Sequence, residues 1–452
     1  MGRYFGTDGI RGIAGAGLDA ELAFKIGRAA ATVLAQEGEE YSRVMIARDT
    51  RISCDMLEAA LSAGLCSAGA NVMLLGVLPT PAVAYLTLQS GSSMGITISA
   101  SHNPYEHNGI KLFGGNGFKL SDALEERVEQ LIDDDSGVCR KIGSNLGRIT
   151  SDHGYWIDKY VKSIVSAAEG HYNGRIAIDC ANGAASETAR TLFRELGAEF
   201  EIIYDNPDGV NINDNCGSTH IDALRSIMKS GRFSVGFAFD GDADRCLIVD
   251  EYGNTVDGDM ILAVLSLAMK ASGCLKGAAI VGTVNSNSGM NIFARDNGFE
   301  FYRAQTGDRN VLEMMLETGC NLGGESSGHI IFIDDATTGD GQLTAIKFLN
   351  VMLASGKRVS ELVCGIPRYP QVMPSFMLTG GMEERDAIMT NPRLHDEIAK
   401  QQEQLAGEGR VLVRPSGTEP VIRVLVEART EALATEKAEI LINLMKMLSI
   451  QG

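Results

Sequence analysis

The sequence predicts an α/β protein: three similar α/β domains with mixed sheets, then a smaller C-terminal α+β domain. Two observations predict it. Short strand-like runs alternate with helices of about ten residues in three successive rounds, the signature of βαβ units. Beyond residue 367 the pattern changes to two strands split by a Pro/Gly-rich turn and one long amphipathic helix. Length agrees, because 452 residues exceed what one hydrophobic core organises.

The first round predicts a strand at Arg43–Ala47, a helix at Leu57–Ala68, and strands at Asn71–Leu75 and Gly95–Ser99. The second predicts a strand at Arg175–Asp179, a helix at Glu187–Leu196, and strands at Phe200–Tyr204 and Val235–Phe239. The third runs through a strand at Ala278–Gly282, a helix at Met290–Asp296, a strand at Glu300–Tyr302, a helix at Asn310–Glu317 and a strand at His329–Ile333. The last part has strands at Arg410–Val413 and Val421–Val426 and a helix at Glu431–Met447. Pro367, Pro370 and Pro374 mark the final boundary, with softer ones at 143–153 and 251–258. The expected domains are therefore 1–150, 151–253, 254–367 and 368–452.

Composition narrows the function classes. A formal net charge of −18 argues against nucleic acid, whose binding rests on Lys and Arg neutralising phosphates. Nine cysteines with no CxxC pair read as reduced thiols of a cytoplasmic protein. The N-terminus lacks the basic-then-apolar order of a signal peptide, and Gly6 occupies the position where a myristoylation signal needs Ser or Thr. The most apolar helical stretch, Met260–Met269, is too short to span a bilayer, so no membrane partner is expected.

Two loops carry the chemistry. Thr97-Ile-Ser-Ala-Ser-His-Asn-Pro104 ends an apolar strand in a polar loop around Ser101, a hydroxyl that can be esterified. Ser, Asn and Pro also make ordinary turns, so this loop alone is ambiguous. Asp240-Gly-Asp-Ala-Asp-Arg245 sets Asp240, Asp242 and Asp244 at alternate positions, where they can converge on Mg²⁺. Without a cation these carboxylates repel one another. The segment imitates a calcium loop, with Glu251 at position 12, but Arg245 stands where a sharp turn needs Gly and the flanks are strands. Together the loops predict phosphoryl transfer through a phosphoserine.

Other motifs are weaker. Gly324 to Gly328 satisfies G-x-S-x-G, but a strand follows where a hydrolase elbow needs a helix. Glu325 and Ser327 suit a loop that reads sugar hydroxyl or amino groups. Arg414-Pro-Ser-Gly-Thr-Glu-Pro420 has the makings of an anion cradle. Arg414 can bind phosphate bidentately, Ser416 and Thr418 donate, Gly417 allows close approach, and Arg423 adds charge. A hairpin turn would need the same Pro and Gly. Tyr4–Gly12 reads as a glycine-rich loop that is not G-x-G-x-x-G, in which Arg11 either faces a phosphate or is simply exposed. No P-loop sequence occurs. Lys111, in Asn108-Gly-Ile-Lys111, can act as general acid or base once its pKa is lowered.

Taken in order, Phe5–Gly12, Thr97–Pro104, Asp240–Arg245, Gly324–His329 and Arg414–Pro420 resemble the α-D-phosphohexomutase superfamily over essentially the whole chain. Asp179-Cys-Ala-Asn-Gly-Ala184, Pro207-Asp-Gly-Val-Asn-Ile-Asn213 and Thr338-Gly-Asp-Gly341 add to the resemblance. It implies four domains around a central cleft and an isomerase of amino-sugar metabolism. That enzyme would interconvert glucosamine 6-phosphate and glucosamine 1-phosphate through a 1,6-bisphosphate and supply a cell-wall precursor. Mannose or glucose phosphates, or a catalytically silent phosphosugar-binding role, are the alternatives. It further implies Ser101 as phosphoserine, with Ser101, Asp240, Asp242 and Asp244 holding Mg²⁺. Arg11, Lys111 and His329 would line the reacting centre, with Lys111 as proton carrier. Arg245, Glu325 and Ser327 would contact the sugar, and Arg414, Ser416, Gly417, Thr418 and Arg423 the non-reacting phosphate. Glucosamine or glucose 1,6-bisphosphate would be the activator, and the protein a monomer or homodimer. The chain departs from the usual pattern at Asn285-Ser-Asn-Ser288, Thr306–Asn310 and Ser326, all expected near the sugar.

Overall fold

Apolar runs at Arg43–Ala47, Arg175–Asp179 and Ala278–Gly282 each found a separate sheet in the computed structural model, which describes residues 3–6, 8–38, 42–405, 408–416 and 421–450. The first sheet contains β1 (Phe5–Gly6), β2 (Gly9–Ile13), β3 (Arg43–Arg48), β4 (Asn71–Val77), β5 (Met94–Ile98), β6 (His107–Gly114) and β7 (Ile149–Ser151), in the order β1-β2-β6-β5-β3-β4-β7. The second contains β8 (Arg175–Asp179), β9 (Glu199–Ile203), β10 (Val235–Phe239), β11 (Cys246–Val249) and β12 (Thr255–Val256), ordered β12-β11-β10-β8-β9. The third contains β13 (Ala279–Thr283), β14 (Glu300–Ala304), β15 (Leu322–Gly324) and β16 (Ile330–Phe332), ordered β14-β13-β15-β16.

These three sheets share one plan. In each, the first strand of the round lies between the second and the third, and the fourth pairs antiparallel with the third at the far side. First and third strands are parallel in every case. The faint sequence repeat is thus a repeat of topology. It has a functional consequence: the Ser101 loop joins β5 to β6, the Asp240–Arg245 loop joins β10 to β11, and the Gly324–His329 loop joins β15 to β16. All three motifs occupy the same connection, at the carboxyl end of a parallel strand, where open α/β sheets place their ligands.

The strands form because their side chains are buried on both faces. Val44, Ile46, Ile96 and Ile98 are inaccessible and pack with Ile26, Leu57 and Leu61 of the helices Ala20–Gln36 and Cys54–Ser67. Each such side chain contributes about 1.5–3 kcal/mol. Asp19 starts the first of these helices by accepting from the Leu22 N–H at 2.8 Å.

The stretch expected as a loop instead contributes the antiparallel strands Phe5–Gly6 and Gly9–Ile13, and Arg11 sits on β2 opposite Gly109 of β6. The glycine content misleads here because it serves close packing. A Cβ on Gly9 would lie 2.5 Å from the Ile110 carbonyl oxygen, and its φ is +79°.

The chain divides into two compact units, Met1–Asn285 with Phe301–Cys364, and Ser286–Glu300 with Gly365–Gly452. The second contains β17 (Gln371–Val372), β18 (Ser375–Met377), β19 (Arg410–Pro415) and β20 (Val421–Glu427), all antiparallel about β20, with the helix Glu431–Ile450 against it. Helix Gly289–Asp296, expected within the third round, belongs to this second unit. Buried Glu427 explains the attachment: it accepts from the Ser288 N–H at 2.9 Å and pairs with Arg410, while Asn287 bonds both the N–H and the carbonyl of Tyr369. Among the described residues, no helix is long and apolar enough to cross a membrane.

Candidate active site

The repeated connections meet within the first unit. Ser101 is fully buried in the left-handed region at φ +52°, a conformation that costs a non-glycine residue about 1–3 kcal/mol unless its surroundings impose it. Its Oγ donates to Asp240 Oδ2 at 2.6 Å and lies 3.5 Å from His102 Nδ1. Ligand oxygens of Asp240, Asp242 and Asp244 all fall within 4.8 Å of one another. Ser101, Asp240, Asp242 and Asp244, singled out separately from sequence, are therefore one cluster.

That cluster fits a divalent cation. Asp242 Oδ1 and Asp244 Oδ1 are buried and have no hydrogen-bond partner within the protein. Burial, with Asp244 and Asp242 beside it, pushes the Asp240 carboxyl well above the usual carboxylate range. A hard cation relieves both penalties at once. The three aspartates thus form a metal-ion site on this chain.

Around them runs a row of alternating charges, closed by the His329 ring, that sequence reading did not foresee. Lys111 Nζ lies 3.6 Å from Asp244 and 3.0 Å from Asp8. Asp8 pairs with Lys119, Lys119 with Asp308, and Asp308 lies 3.8 Å from His329 Nε2. His329 Nδ1 returns to Asp244 at 3.6 Å. Arg11 also pairs with Asp8. Lys119 carried no motif signal, and Asp8 and Asp308 lay in quoted stretches that assigned them no role. Their pairing spans 111 and 189 residues of sequence, and sheet topology alone brings them together.

Lys111 lies among three carboxylates. A proton carrier needs a lowered pKa, but here the ammonium is held well above its ordinary value. Burial works against the charge, yet Asp242 at 2.8 Å, then Asp8 and Asp244, outweigh it. Two of the three carboxylates that hold Lys111, Asp242 and Asp244, also belong to the metal-ion cluster. The same carboxylates depress or raise their neighbours according to sign. Asp244, despite burial, is held below the usual range by Lys111, then His329 and Arg245. His329 is raised, because Asp244 and then Asp308 outweigh burial. Gly339 N–H donates to His329 Nε2 at 3.1 Å, a bond that requires the Nδ1-protonated neutral ring. His102 is the opposite case. Burial, then the Arg245 and Arg11 cations, bring its pKa down to about 4. The neutral ring accepts from Arg245 Nη1 through Nδ1 at 2.8 Å.

The third loop brings Glu325 and Ser327 into the same unit. Glu325 Oε1 accepts from the Gly307 N–H at 3.0 Å, and Ser327 Oγ is buried without a hydrogen-bond partner. Strands on both sides, β15 and β16, exclude the hydrolase elbow. The Gly328 carbonyl accepts from the Cys246 N–H at 3.0 Å, which joins this loop to the metal loop.

In the second unit, Arg414 on β19 stands directly opposite Arg423 on β20, and the Ser416 N–H donates to the Val421 carbonyl at 2.9 Å. Burial and the facing Arg423 lower the Arg414 pKa. Gly417 and Thr418 lie outside the described residues.

Comparison with known proteins agrees with this geometry. Four family profiles match in order: phosphoglucomutase/phosphomannomutase alpha/beta/alpha domain I at residues 2–137, domain II at 156–253, domain III at 257–369 and the C-terminal domain at 379–444. A phosphoglucosamine mutase of Acetivibrio thermocellus is 48% identical over 97% of each chain. The crystal structure of a phosphoglucomutase/phosphomannomutase family protein from Burkholderia thailandensis has a TM-score of 0.80 at 26% identity, covering 98% of this chain and 97% of that one. An N-acetylphosphoglucosamine mutase of Aspergillus fumigatus, solved with GlcNAc-6P and magnesium, shares the fold with a TM-score of 0.61 at 19% identity, over 82% and 92% of the two chains. With its serine and metal loops in one buried cluster and all four profiles in sequence, the chain belongs to the phosphoglucomutase/phosphomannomutase family of phosphohexomutases, within the α-D-phosphohexomutase superfamily.

Proposed function

We propose that this phosphohexomutase interconverts glucosamine 6-phosphate and glucosamine 1-phosphate through a phosphorylated Ser101. The observation that carries the reaction type is the 2.6 Å contact between Ser101 Oγ and Asp240 inside the three-carboxylate cluster. The choice of sugar rests on the 48% identical relative named a phosphoglucosamine mutase.

In the first half-reaction the P–O bond to Ser101 Oγ breaks and a P–O bond to a sugar hydroxyl forms. The proton lost by that hydroxyl balances the one gained by Ser101. The 1,6-bisphosphate turns over, and Ser101 recovers the other phosphoryl group by the reverse step. A divalent cation, proposed as Mg²⁺ and held by Asp240, Asp242, Asp244 and Ser101, supplies neutralisation of the phosphoryl oxygens. Lys111, Arg11 and Arg245 add fixed positive charge beside Ser101. A loose transition state demands little proton removal at the moment of transfer, so a Lys111 that keeps its proton is no obstacle. His329 orients Asp244. Glu325 and Ser327 read the sugar, and Arg414, Ser416, Gly417, Thr418 and Arg423 take the phosphate that is not transferred. A 1,6-bisphosphate of glucosamine or glucose primes the serine, and the domains end near residues 150, 253 and 367.

The family's own description favours a second reading, a mutase acting on glucose or mannose phosphates. One coupled assay with glucosamine, glucose and mannose 6-phosphates at equal concentration separates them. The proposal expects the largest kcat/KM with the amino sugar. A larger value with either neutral sugar refutes the assignment.

A further inference from the structure

The serine loop is gripped from two sides by residues outside the charge circuit. Arg51 is fully buried, and all five of its guanidinium N–H groups are used. Nε donates to Asp49 Oδ2 at 2.8 Å. Nη2 donates to the carbonyls of Ser101 at 2.9 Å and Asn103 at 2.8 Å. Nη1 donates to the carbonyls of Pro104 and His107, the latter at 3.1 Å. From the second sheet's side, Asn213 Nδ2 donates to the same Ser101 and Asn103 carbonyls at 2.9 and 3.1 Å.

Asp49 adds a third restraint. It accepts from Ser99 Oγ at 2.6 Å, and that oxygen accepts from the Ser101 N–H at 2.9 Å. The Ser101 amide is thus fixed on both its N–H and its carbonyl side. Room for the grip is made by Gly241, where a Cβ would lie 2.5 Å from the Ser101 carbonyl oxygen and 2.8 Å from Asn213 Nδ2. Asn213 is itself held, with φ +59° and its N–H on the Ala181 carbonyl at 2.9 Å. Thr50 Oγ1 donates to the Asn182 carbonyl at 2.6 Å, which ties the Arg51 turn to the same support.

We infer that Arg51 and Asn213 are positioning residues that clamp the phosphoserine loop, holding Ser101 Oγ at one point through both half-reactions. The inference rests on the phosphoserine reading. Its physical basis is symmetry of use: one oxygen must give a phosphoryl group and later recover the other, so a loop that drifts with the departing group misses the return. An error of about 1 Å at a reacting atom can cost about 10²-fold in rate. Neither side chain touches the substrate phosphate in this scheme, so the clamp bears on turnover rather than on substrate binding. It also sets how the phosphoryl group partitions between sugar and water.

The test uses the full chain with Asn213→Ala and Arg51→Lys. Three quantities are read for each: kcat and KM for the sugar phosphate, loss of phosphate from preformed phosphoserine without acceptor, and the thermal unfolding midpoint. Asn213→Ala should lower kcat about 10- to 100-fold, with KM within about 2-fold of wild type and the midpoint within a few degrees. Its phosphoserine should lose more phosphate to water per turnover. Arg51→Lys should lower kcat further, because an ammonium has three donors and cannot span four carbonyls. Wild-type kcat in a folded Asn213→Ala overturns the clamp, as does a loss expressed wholly in KM. If Arg51→Lys does not fold, Asn213→Ala decides alone. A wild-type enzyme that turns over without phosphate on Ser101 removes the phosphoserine reading itself, and the clamp with it.

Discussion

Along the row Lys111, Asp8, Lys119 and Asp308 every charge faces an opposite one, whereas across the β19–β20 pair Arg414 faces Arg423. The first arrangement is complete in itself. Lys111 and Lys119 alternate with Asp8 and Asp308, and desolvation of each ion is offset by its neighbours. The second sets like charges opposite each other, which destabilises a strand pair. A phosphate between two guanidinium groups would reverse that sign. The contrast separates two demands. A reacting centre must be preorganised before any substrate arrives, whereas two like charges across a strand pair offer a place that an anion can bridge.

Breaking the circuit should have the largest effect. Lys119→Met leaves Asp8 and Asp308 facing each other without their shared cation, and removing one partner of a buried pair costs about 3–5 kcal/mol. Denaturant unfolding should show that loss, and kcat should fall with it because Lys111 and His329 lose their fixed neighbours. Unchanged stability would mean that the circuit is not a structural unit.

Relieving the arginine pair should do the reverse. Arg414→Ala should weaken substrate binding by about 2–4 kcal/mol, the scale of a charge-assisted contact, and raise KM accordingly. Stability should hold or rise, because a like-charge contact is gone. A fall in stability without a change in KM would make this strand pair structural and dissolve the contrast.

The smallest effect concerns the imidazole beside the serine. His102 has a pKa of about 4 because burial, Arg245 and Arg11 all disfavour imidazolium. It therefore stays neutral throughout the physiological range and gains a proton only as pH falls through about 4. Its depressed value also destabilises the fold in acid, since the unfolded chain takes up that proton near the ordinary histidine value of about 6.5 while the native state does not. Arg245→Ala removes a cation and a donor, so NMR should find the His102 titration moved upward. A downward move would contradict the assignment of cause.

The sequence carried the parts of this site that are local. Asp240, Asp242 and Asp244 announce themselves because three carboxylates in five residues are costly without a cation. The strands Arg175–Asp179 and Val235–Phe239 were legible from their apolar centres, and both fall at their expected limits. Lys119 and Arg51 were silent because each is one polar residue in an unremarkable stretch, and Asp8, Asp308 and Asn213 lay inside the quoted stretches with no role of their own. Their meaning comes from partners on other strands and in other rounds. Arg11 was found but misplaced, since Gly6, Gly9 and Gly12 suggested a loop where the backbone of β6 demands a close-packed strand. Lys111 was found without its surroundings, because a lone lysine in a sequence gives no sign of the three carboxylates beside it.

Phosphate on Ser101 is the claim on which the rest depends. The direct measurement is intact-mass and peptide mass spectrometry of wild type and Ser101→Ala, each incubated with glucose 1,6-bisphosphate and Mg²⁺. One added phosphoryl group on the peptide containing Ser101, absent from the alanine variant together with mutase turnover, is the expected result. Turnover in a wild-type enzyme whose Ser101 never carries phosphorus, or undiminished turnover in the alanine variant, would contradict the account.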